Sequence, residues 1–284
     1  MSLQGKTLFI SGGSRGIGLA IALRAACDGA NVVIAAKTAE PHAKLEGTIY
    51  SSAEAIEAAG GKALPVLCDI RDEKQIEAAV AAAVERFGGI DICINNASAI
   101  ALTGTLATDA KRYDLMHDIN ARGTFMVSRA CLPHLLKAEN PHVLSLSPPL
   151  NFVPEWFAPY PAYALAKYAM SIYSMAMAAE FREQGVAFNT LWPKTIIDTA
   201  AIRLVVDEAG IARSRKPEIM ADAAWHILTR PSREVTGQHF IDEQVLAAAG
   251  ITDLRPYRAV QGEARLATDI FVPADAVTPA GALV

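Results

Sequence analysis

The chain has 284 residues, of which 52% are hydrophobic and 20% charged, and its formal net charge is −4. This length and composition allow a sizeable buried core, and we expect one large α/β domain rather than two small ones. The acidic balance and the absence of a basic run give no attraction for nucleic acid or an anionic membrane surface. We therefore expect a small-molecule partner, with no nucleic acid and no membrane.

Targeting and metal signals are missing as well. The first residues lead directly into an apolar run, no run approaches the roughly 20 residues of a membrane span, and the last three residues are not the peroxisomal signal. The four cysteines and six histidines lack the short spacings of zinc or redox sites. The sequence therefore predicts a cytoplasmic protein without a metal, in which the cysteines are small buried hydrophobes.

A glycine-rich turn follows the first predicted strand, Thr7–Ser11, and precedes a helix that extends to about residue 28. Glycine permits positive φ angles and close backbone approach. A helix N-terminus attracts a pyrophosphate through its free N–H groups and its partial positive charge. An ordinary loop is the alternative for such a turn taken alone. The pattern predicts a dinucleotide site formed by Gly12, Ser14, Arg15, Gly16, Ile17 and Gly18.

The residues after the second predicted strand, Asn31–Ala36, indicate which dinucleotide binds. A carboxylate there would accept hydrogen bonds from the adenosine ribose of NAD, but this chain has Lys37. Lys37 and Arg15 together offer two positive charges to a 2′-phosphate, so the sequence favours NADP(H). The alternative for Lys37 is a solvated loop lysine.

Strands and helices alternate along most of the chain. After a loop at 41–49, further strands are predicted at 63–68, 90–95, 141–147, 186–192 and 237–241, and helices at 51–59, 73–87, 111–137, 162–183 and 217–229. This alternation predicts a Rossmann-type α/β fold with a doubly wound, parallel, seven-stranded sheet and helices on both faces. We expect a single domain over residues 1–250 and an extension over 251–284 without a fold of its own.

Polar residues follow two of these strands. Asp69 is placed to accept hydrogen bonds from the adenine amino group or a backbone N–H, and its alternative is to cap the next helix together with Asp72. Asn95 and Asn96 are placed to brace the strands beside the cofactor.

Three stretches of the second half carry structural expectations. The aromatic loop at 148–161 either lines an apolar pocket or packs down on the sheet as a surface loop. The small residues of the 162–183 helix allow close packing against a partner subunit. The basic residues Arg213, Arg215 and Lys216 are interpreted as a solvated face.

Tyr163 and Lys167 are four residues apart, so they project from one face of a predicted helix. An ammonium group stabilises a phenolate, so we expect Lys167 to lower the pKa of Tyr163 and to make it a usable acid or base. Tyr163 would protonate a carbonyl oxygen as hydride reaches the carbon, or act in reverse, and Lys167 would also hold the nicotinamide ribose. Asn120 would fix a water that relays protons from Lys167. As an asparagine within a helix it indicates either a functional kink or a buried packing contact.

These motifs occur in the order typical of the short-chain dehydrogenase/reductase family, which the sequence resembles over about residues 3–242. Four further runs, at 35–39, 95–100, 147–151 and 191–195, resemble one branch of that family, some members of which append a sterol-carrier domain that we do not find here. The resemblance implies a homodimer or homotetramer with Tyr163 as the proton donor. It also implies NADP-type binding through residues 12–18 together with Lys37, Asp69, Asn96, Lys167 and Pro193.

Two positions depart from the family pattern. The family's catalytic serine is usually the second of two serines at the end of a strand, where this chain has Pro148. Ser147 remains as the candidate that turns its hydroxyl to the substrate oxygen. Lys194 follows Pro193 where glycine is common, which would narrow the nicotinamide end or add a charge beside the substrate.

The leading hypothesis is an NADP(H)-dependent oxidoreductase that acts on a carbonyl or secondary alcohol, with a lipid-like substrate in view of the aromatic loop. A second hypothesis is reduction of an enoyl thioester C=C bond, which would depend less on the serine. A third is a binding module that senses NADP(H) without catalysis. The intact Tyr163–Lys167 pair disfavours the third hypothesis, because a sensor needs no acid.

Overall fold

A computed structural model describes residues 1–41, 46–204 and 206–272, so the loop predicted at 41–49 and the extension predicted at 251–284 lie partly outside the described residues. Seven strands are described: β1 (Thr7–Ser11), β2 (Asn31–Ala36), β3 (Lys62–Leu67), β4 (Ile92–Asn95), β5 (His142–Ser145), β6 (Ala187–Trp192) and β7 (His239–Ile241). They form one parallel sheet in the order β3-β2-β1-β4-β5-β6-β7. The predicted Rossmann-type sheet is confirmed.

Helices cover both faces of this sheet. They are α1 (Gly16–Ala26), α2 (Ile49–Ala58), α3 (Glu73–Phe87), α4 (Ala110–Met116), α5 (Thr124–Leu135), α6 (Pro154–Phe157), α7 (Pro161–Glu180), α8 (Glu208–Ile211), α9 (Glu218–Leu228) and α10 (Asp242–Ala248). One apolar core packs α1, α2, α9 and α10 on one face, and a second packs α3, α5 and α7 on the other. The central strands β1, β2, β4, β5 and β6 are buried between these layers, and most of their residues are apolar.

The order of the strands determines where a ligand can bind. β1 pairs with β2 on one side and with β4 on the other, so the order of the strands reverses its direction at β1. In open parallel sheets a crevice forms at this reversal, outside the carboxyl ends of the strands. The residues after β1 and β4 therefore meet at this crevice.

The helix predicted at 111–137 is not continuous. α4 and α5 are separated by a π-helical segment, His117–Gly123, which contains Asn120. The completely buried Asn120 side chain donates to the carbonyl oxygen of Ala99 at 2.9 Å and accepts from its N–H at 2.8 Å. The irregular turn and the buried packing contact, stated above as alternatives, therefore occur together, as is common for π segments near functional sites.

A buried ion pair corrects the interpretation of one basic residue. Arg215 is completely buried, and its Nη2 lies 2.9 Å from Oε1 of Glu243, which is also completely buried. A charge inside a protein requires such a partner. The solvated face was the wrong interpretation for Arg215, because α10, which the sequence did not indicate, supplies the carboxylate.

The described part of the extension, residues 251–272, is called the C-terminal segment below. It contains only one short 3-10 helix, Arg255–Tyr257, among the described residues. It nevertheless packs onto the domain, because Leu254, Leu266, Phe271 and Val272 are buried. Thr268 also forms an isolated antiparallel bridge with Thr195, just after β6.

Three further observations concern the described residues. None of the helices described is both long and apolar enough to cross a membrane. No group of three or more His, Cys, Asp or Glu side chains is arranged to hold a metal ion in that part of the chain. Cys68, Cys93 and Cys131 are buried as expected, but Cys27 is exposed.

Candidate active site

The glycine turn after β1 packs so closely that side chains are excluded. Gly12 has a φ of +69°, and a Cβ atom there would lie 2.9 Å from Cα of Ala97. A Cβ atom on Gly18, in the first turn of α1, would lie 2.5 Å from Nδ2 of Asn96 and 2.7 Å from the carbonyl oxygen of Gly12. No side chain caps the N-terminus of α1 and no acid lies in its first turn. The N–H groups of α1 are therefore available to an anion.

Two adjacent asparagines fix the end of β4 against its neighbours. Asn96 donates from Nδ2 to the carbonyl oxygens of Ser11 at 3.1 Å and Gly12 at 2.9 Å. Asn95 donates to the Oγ of Ser128 at 2.9 Å. These hydrogen bonds confirm the predicted bracing of the strands.

The crevice contains a cavity of about 400 Å³, called the nucleotide cavity below. Its lining includes most of the residues predicted to bind the cofactor: Gly12, Ser14, Arg15, Gly16, Ile17, Lys37, Asp69 and Asn96. Gly18 lies outside this lining and acts through packing. The sequence did not identify Thr38, Ser98, Ile119 and Thr199, which line the cavity only because the fold brings their loops together.

The charged side chains of the nucleotide cavity differ in the hydrogen-bond and ion-pair partners that they have. Arg15 donates from Nη2 to the carbonyl oxygen of Gly47 at 2.7 Å, but its Nε is buried without a partner in the described part of the chain. Lys37 is 54% exposed, and its Nζ lies 3.9 Å from Oδ2 of Asp69. The hydrogen bonds from Arg71, with the charge of Lys37, hold the pKa of Asp69 below its usual value. Cations therefore outnumber acids at this rim.

Asp72 alone caps α3, so the capping alternative for Asp69 is wrong. The side chain of Asp72 accepts from the backbone N–H groups of Lys74 and Gln75. Asp69 accepts from the backbone N–H and the guanidinium of Arg71 instead. Asp69 therefore lines the nucleotide cavity with both carboxylate oxygens paired with Arg71.

A second cavity of about 250 Å³ adjoins the first, and we call it the tyrosine cavity. Ile17, Asn96, Ser98 and Thr199 line both cavities. Tyr163, Lys167 and Pro193 line the second, as the predicted site requires. Most of its remaining wall is apolar and includes Ile100, Leu102, Leu146, Trp192, Ile196, Ile197 and Ile270.

Tyr163 and Lys167 lie on α7 in an environment that changes both pKa values. Burial, assisted by the charge of Asp269, raises the pKa of Tyr163. The expectation that Lys167 lowers this pKa is wrong, because loss of solvent dominates at a side chain that is only 4% exposed. Burial lowers the pKa of Lys167 to about 7, and the charge of Asp269 opposes this change.

Lys167 is held in place by contacts of its Nζ, one of which is with Sδ of Met170 at 3.6 Å. Its Nζ donates to the carbonyl oxygen of Leu146, just beyond β5, at 2.7 Å. The same atom lies 5.2 Å from the centre of the Trp192 ring. By contrast, no described residue forms a hydrogen bond with the Tyr163 hydroxyl, so the phenol is available to a ligand in its cavity.

The structure does not bring Ser147, Asn120 or Lys194 to the tyrosine cavity. The completely buried hydroxyl of Ser147 lies 3.0 Å from that of Ser171, which also donates to the carbonyl oxygen of Pro148. The prediction that Ser147 turns to the substrate is wrong, because β5 and α7 enclose it. Lys194 lies 3.5 Å from Glu243 through its Nζ, so it neither narrows the nicotinamide end nor adds an unpaired charge there.

The aromatic loop follows the second of its two interpretations. Trp156, Phe157 and Tyr160 pack against the buried cluster that contains Tyr163 and Tyr168, and they do not line the tyrosine cavity. Phe152 is exposed. The apolar wall of the cavity comes from other segments.

The C-terminal segment covers Tyr163, which the sequence did not indicate. The ring of Phe271 stacks on that of Tyr163 with their centres 6.1 Å apart, and Phe271 adopts a φ of +64°, which is unusual for a residue with a side chain. Trp192 donates from Nε1 to the carbonyl oxygen of Ile270 at 2.9 Å. The available signal was the apolar content of residues 266–272 within a tail of mixed polarity.

Comparison with known proteins agrees with this geometry. Residues 6–225 match the family model described as short chain dehydrogenase. The chain therefore belongs to the short-chain dehydrogenase family, whose members are oxidoreductases that use a nicotinamide cofactor and act on small molecules.

Several relatives are identical to this chain at more than half of the aligned positions. Hydroxysteroid dehydrogenase-like protein 2 of Danio rerio is 58% identical over 270 residues, which cover 95% of this chain and 64% of the relative. The Homo sapiens protein of that name is 53% identical, with the same two shares. The predicted resemblance to this branch is confirmed, and the chain spans about 64% of the length of these relatives.

Solved structures confirm the fold. A Xanthomonas campestris protein described as a dehydrogenase is 57% identical and superposes with a TM-score of 0.93, covering 96% of this chain and 100% of its own. A short chain dehydrogenase of Burkholderia cenocepacia, solved in complex with NADP, is 28% identical with a TM-score of 0.73. That comparison covers 85% of this chain and 97% of the solved one.

Proposed function

We propose that the chain is an NADP(H)-dependent oxidoreductase that interconverts an apolar carbonyl compound and its secondary alcohol, and that it favours reduction. One observation carries this proposal. Tyr163 and Lys167 line a buried cavity that shares Ile17 and Asn96 with the nucleotide cavity. This adjacency supports Tyr163 as a proton donor beside a cofactor site.

The residues of the nucleotide cavity suit a dinucleotide that carries an additional phosphate. The uncapped N-terminus of α1 would hold the pyrophosphate, and Lys37 would contact the 2′-phosphate. The buried, partnerless Nε atom of Arg15 is a donor that such a phosphate would satisfy. The Burkholderia cenocepacia relative that was solved with NADP supports the same choice. We therefore propose NADP(H) rather than NAD(H).

Residues of the protein would donate the proton to the substrate and replace it afterwards. When bound, the nicotinamide supplies or accepts the hydride at the substrate carbon. Because burial raises the pKa of Tyr163, its hydroxyl keeps its proton at neutral pH and can donate it to a carbonyl oxygen. Lys167, whose pKa is about 7, can exchange protons near neutrality and return one to Tyr163. Since Ala99 occupies both amide atoms of Asn120, we propose that Asn120 serves this relay by holding the backbone of the π segment.

The cavity wall supports a proposal for the substrate class. Its volume of about 250 Å³ is below that of many ligand pockets, and its side chains are mostly aliphatic or aromatic. A narrow apolar carbonyl compound, such as a medium-chain ketone, fits this lining better than a sugar or a charged acid. We therefore retain a lipid-like substrate as part of the proposal.

The proposal is tested by incubating the protein with NADPH or NADH and a panel of medium-chain ketones, secondary alcohols and enoyl thioesters. Nicotinamide absorbance reports turnover, and mass spectrometry identifies the product. We expect alcohol formation from ketones, with NADPH preferred. A saturated thioester as the main product would instead support C=C reduction, and NADPH binding without any turnover would support a binding module.

Cofactor choice gives a second prediction, in which Lys37 is replaced by aspartate. We expect the Kd for NADPH to rise about 50-fold, because a charge-assisted hydrogen bond is lost and a carboxylate is placed near the 2′-phosphate. The Kd for NADH should change less than threefold or improve. Both constants can be measured by quenching of protein fluorescence.

Lys62→Asp is the matched control, because Lys62 is an exposed lysine at the far end of the neighbouring strand β3. Lys62→Asp should leave the Kd values for NADPH and NADH unchanged. Equal effects of Lys37→Asp on the two cofactors would contradict the assignment of Lys37 to the 2′-phosphate.

The same helix that carries Tyr163 also offers an apolar surface. α7 exposes Leu165, Ile172 and Met175, and α5 exposes Phe125. Exposed apolar groups of this kind favour association. They support a homodimer or homotetramer as the working form.

A further inference from the structure

The tyrosine cavity contains an acid that comes from the C-terminal segment. Asp269 lines this cavity together with Tyr163 and Lys167, and its ionised form raises the pKa of both. Its backbone N–H donates to the carbonyl oxygen of Lys194 at 2.9 Å. The adjacent bridge between Thr268 and Thr195 anchors it further to the end of β6. Asp269 is therefore a fixed part of the cavity wall.

The surroundings of Asp269 favour the protonated form of its carboxyl group. Burial raises its pKa to about 8, although a hydrogen bond from the backbone N–H of Ile270 acts in the opposite direction; the charge of Asp242 raises this pKa further and that of Lys167 lowers it. The adjoining wall residues Trp192, Ile196 and Ile270 are apolar. At neutral pH most of these carboxyl groups carry a proton, and a protonated carboxyl is a hydrogen-bond donor.

The charged groups that face Asp269 come from three elements. Tyr163 and Lys167 belong to α7, and Asp242 begins α10. Lys194, after β6, presents its backbone carbonyl to Asp269, while its ammonium pairs with Glu243. Among the described residues that line the tyrosine cavity, Lys167 is the one with a cationic side chain. Its Nζ donates to the carbonyl oxygen of Leu146.

The position at which the family usually has its catalytic serine offers no hydroxyl group to a substrate in this chain. Pro148 has no hydroxyl, and Ser147 is enclosed between β5 and α7. During reduction, negative charge develops on the carbonyl oxygen of a substrate in the tyrosine cavity. A second hydrogen-bond donor beside Tyr163 would stabilise this charge. Asp269 is a titratable group of the same wall, and it can donate when protonated.

We propose that Asp269 is a catalytic residue, which donates a hydrogen bond to the substrate carbonyl oxygen beside Tyr163 and thereby replaces the missing serine. This assignment rests on the proposed carbonyl reduction. Asp269 keeps its proton throughout: the hydride goes to the carbon, the Tyr163 proton goes to the oxygen, and no covalent bond to Asp269 forms or breaks.

The test compares Asp269→Leu, which removes the donor, with Asp269→Asn, whose amide donates but does not titrate. With NADPH and 2-octanone as the probe ketone, Asp269→Leu should lower kcat/KM about 100-fold, the effect of losing one such donor. Asp269→Asn should stay within about tenfold of the unsubstituted protein. The Kd for NADPH should remain within twofold in both, as should that of the control variant Asp253→Asn, in an exposed ion pair with Arg255 of the same segment.

The pH profile is a second measurement. Because the protonated carboxyl is the active form, kcat/KM should fall as the pH rises through about 8 in the unsubstituted protein. The step near pH 8 should be absent in Asp269→Asn, whereas the decrease that follows from Lys167, whose pKa is about 7, should remain. A loss in Asp269→Asn as large as that in Asp269→Leu, or a loss below threefold in both, would overturn the assignment.

A third measurement does not depend on turnover. The infrared carbonyl stretch of 2-octanone, bound to the protein with NADP+, should shift to higher frequency in Asp269→Leu and return in Asp269→Asn, because a hydrogen bond weakens the C=O bond. An unchanged frequency in Asp269→Leu would overturn the role of Asp269. Failure of the unsubstituted protein to reduce any ketone would instead overturn the proposed function, and the two results are therefore distinguishable.

Discussion

Tyr163→Phe is expected to lower kcat for ketone reduction by about 1000-fold, because the variant loses only the hydroxyl that supplies the proton. The ring stacking with Phe271 and the burial on α7 are retained, so the thermal unfolding temperature should change little. The Kd for NADPH should also stay within about threefold, since the phenol is assigned to the substrate. Steady-state kinetics and fluorescence titration measure these quantities.

Tyr173→Phe is a matched control on the same helix. Tyr173 packs against Phe125 and lies outside both cavities. It should leave kcat within a factor of about two. If Tyr163→Phe retained a tenth or more of the activity, another group would have to provide the proton, and the mechanism built on Tyr163 would be abandoned.

Gly18→Val is expected to abolish measurable NADPH binding, with a Kd raised more than about 100-fold, and to destabilise the fold by about 3 kcal/mol. Even the first added carbon would lie 2.5 Å from Nδ2 of Asn96 and 2.7 Å from the carbonyl oxygen of Gly12. Asn96 cannot move away without losing its hydrogen bonds to Ser11 and Gly12. The start of α1 would therefore have to shift, and its N–H groups would leave the nucleotide cavity.

Gly89→Ala provides the comparison, because a Cβ atom at Gly89 would meet no atom within 4 Å. This variant should bind NADPH and unfold like the unsubstituted protein. Fluorescence titration and chemical denaturation can be performed on both variants. Normal NADPH binding by Gly18→Val would show that the glycine turn does not position the cofactor.

The sheet was predictable because its strands are local apolar runs between turn residues. α3 was also predicted with its observed bounds, since its periodic pattern follows the cap residue Asp72. The break in the 111–137 helix could only be suspected, because the π segment depends on a contact between Asn120 and Ala99, which is distant in sequence. α10 has a similar dependence, since its Glu243 is matched by Arg215 across 28 residues.

The candidate site was predicted well where its parts are consecutive in sequence and poorly where they are not. The spacing of Tyr163 and Lys167 predicted that they share one helix face, and both line the tyrosine cavity, but the spacing could not reveal the burial that raises the pKa of Tyr163. Asp269 lies about a hundred residues after this pair and carries no motif. Its position becomes evident only when the C-terminal segment is seen to pack against β6 and α7.

The packing of Phe271 on Tyr163 links the length of a recombinant chain to its chemistry. A version shortened to about residue 250 would keep all of residues 6–225, the part that matches the family model. It would nevertheless lose Phe271 and Asp269 and expose the phenol to bulk water, where its pKa would return toward the free value of about 10. Such a shortened protein would therefore report the reactivity of a different active site.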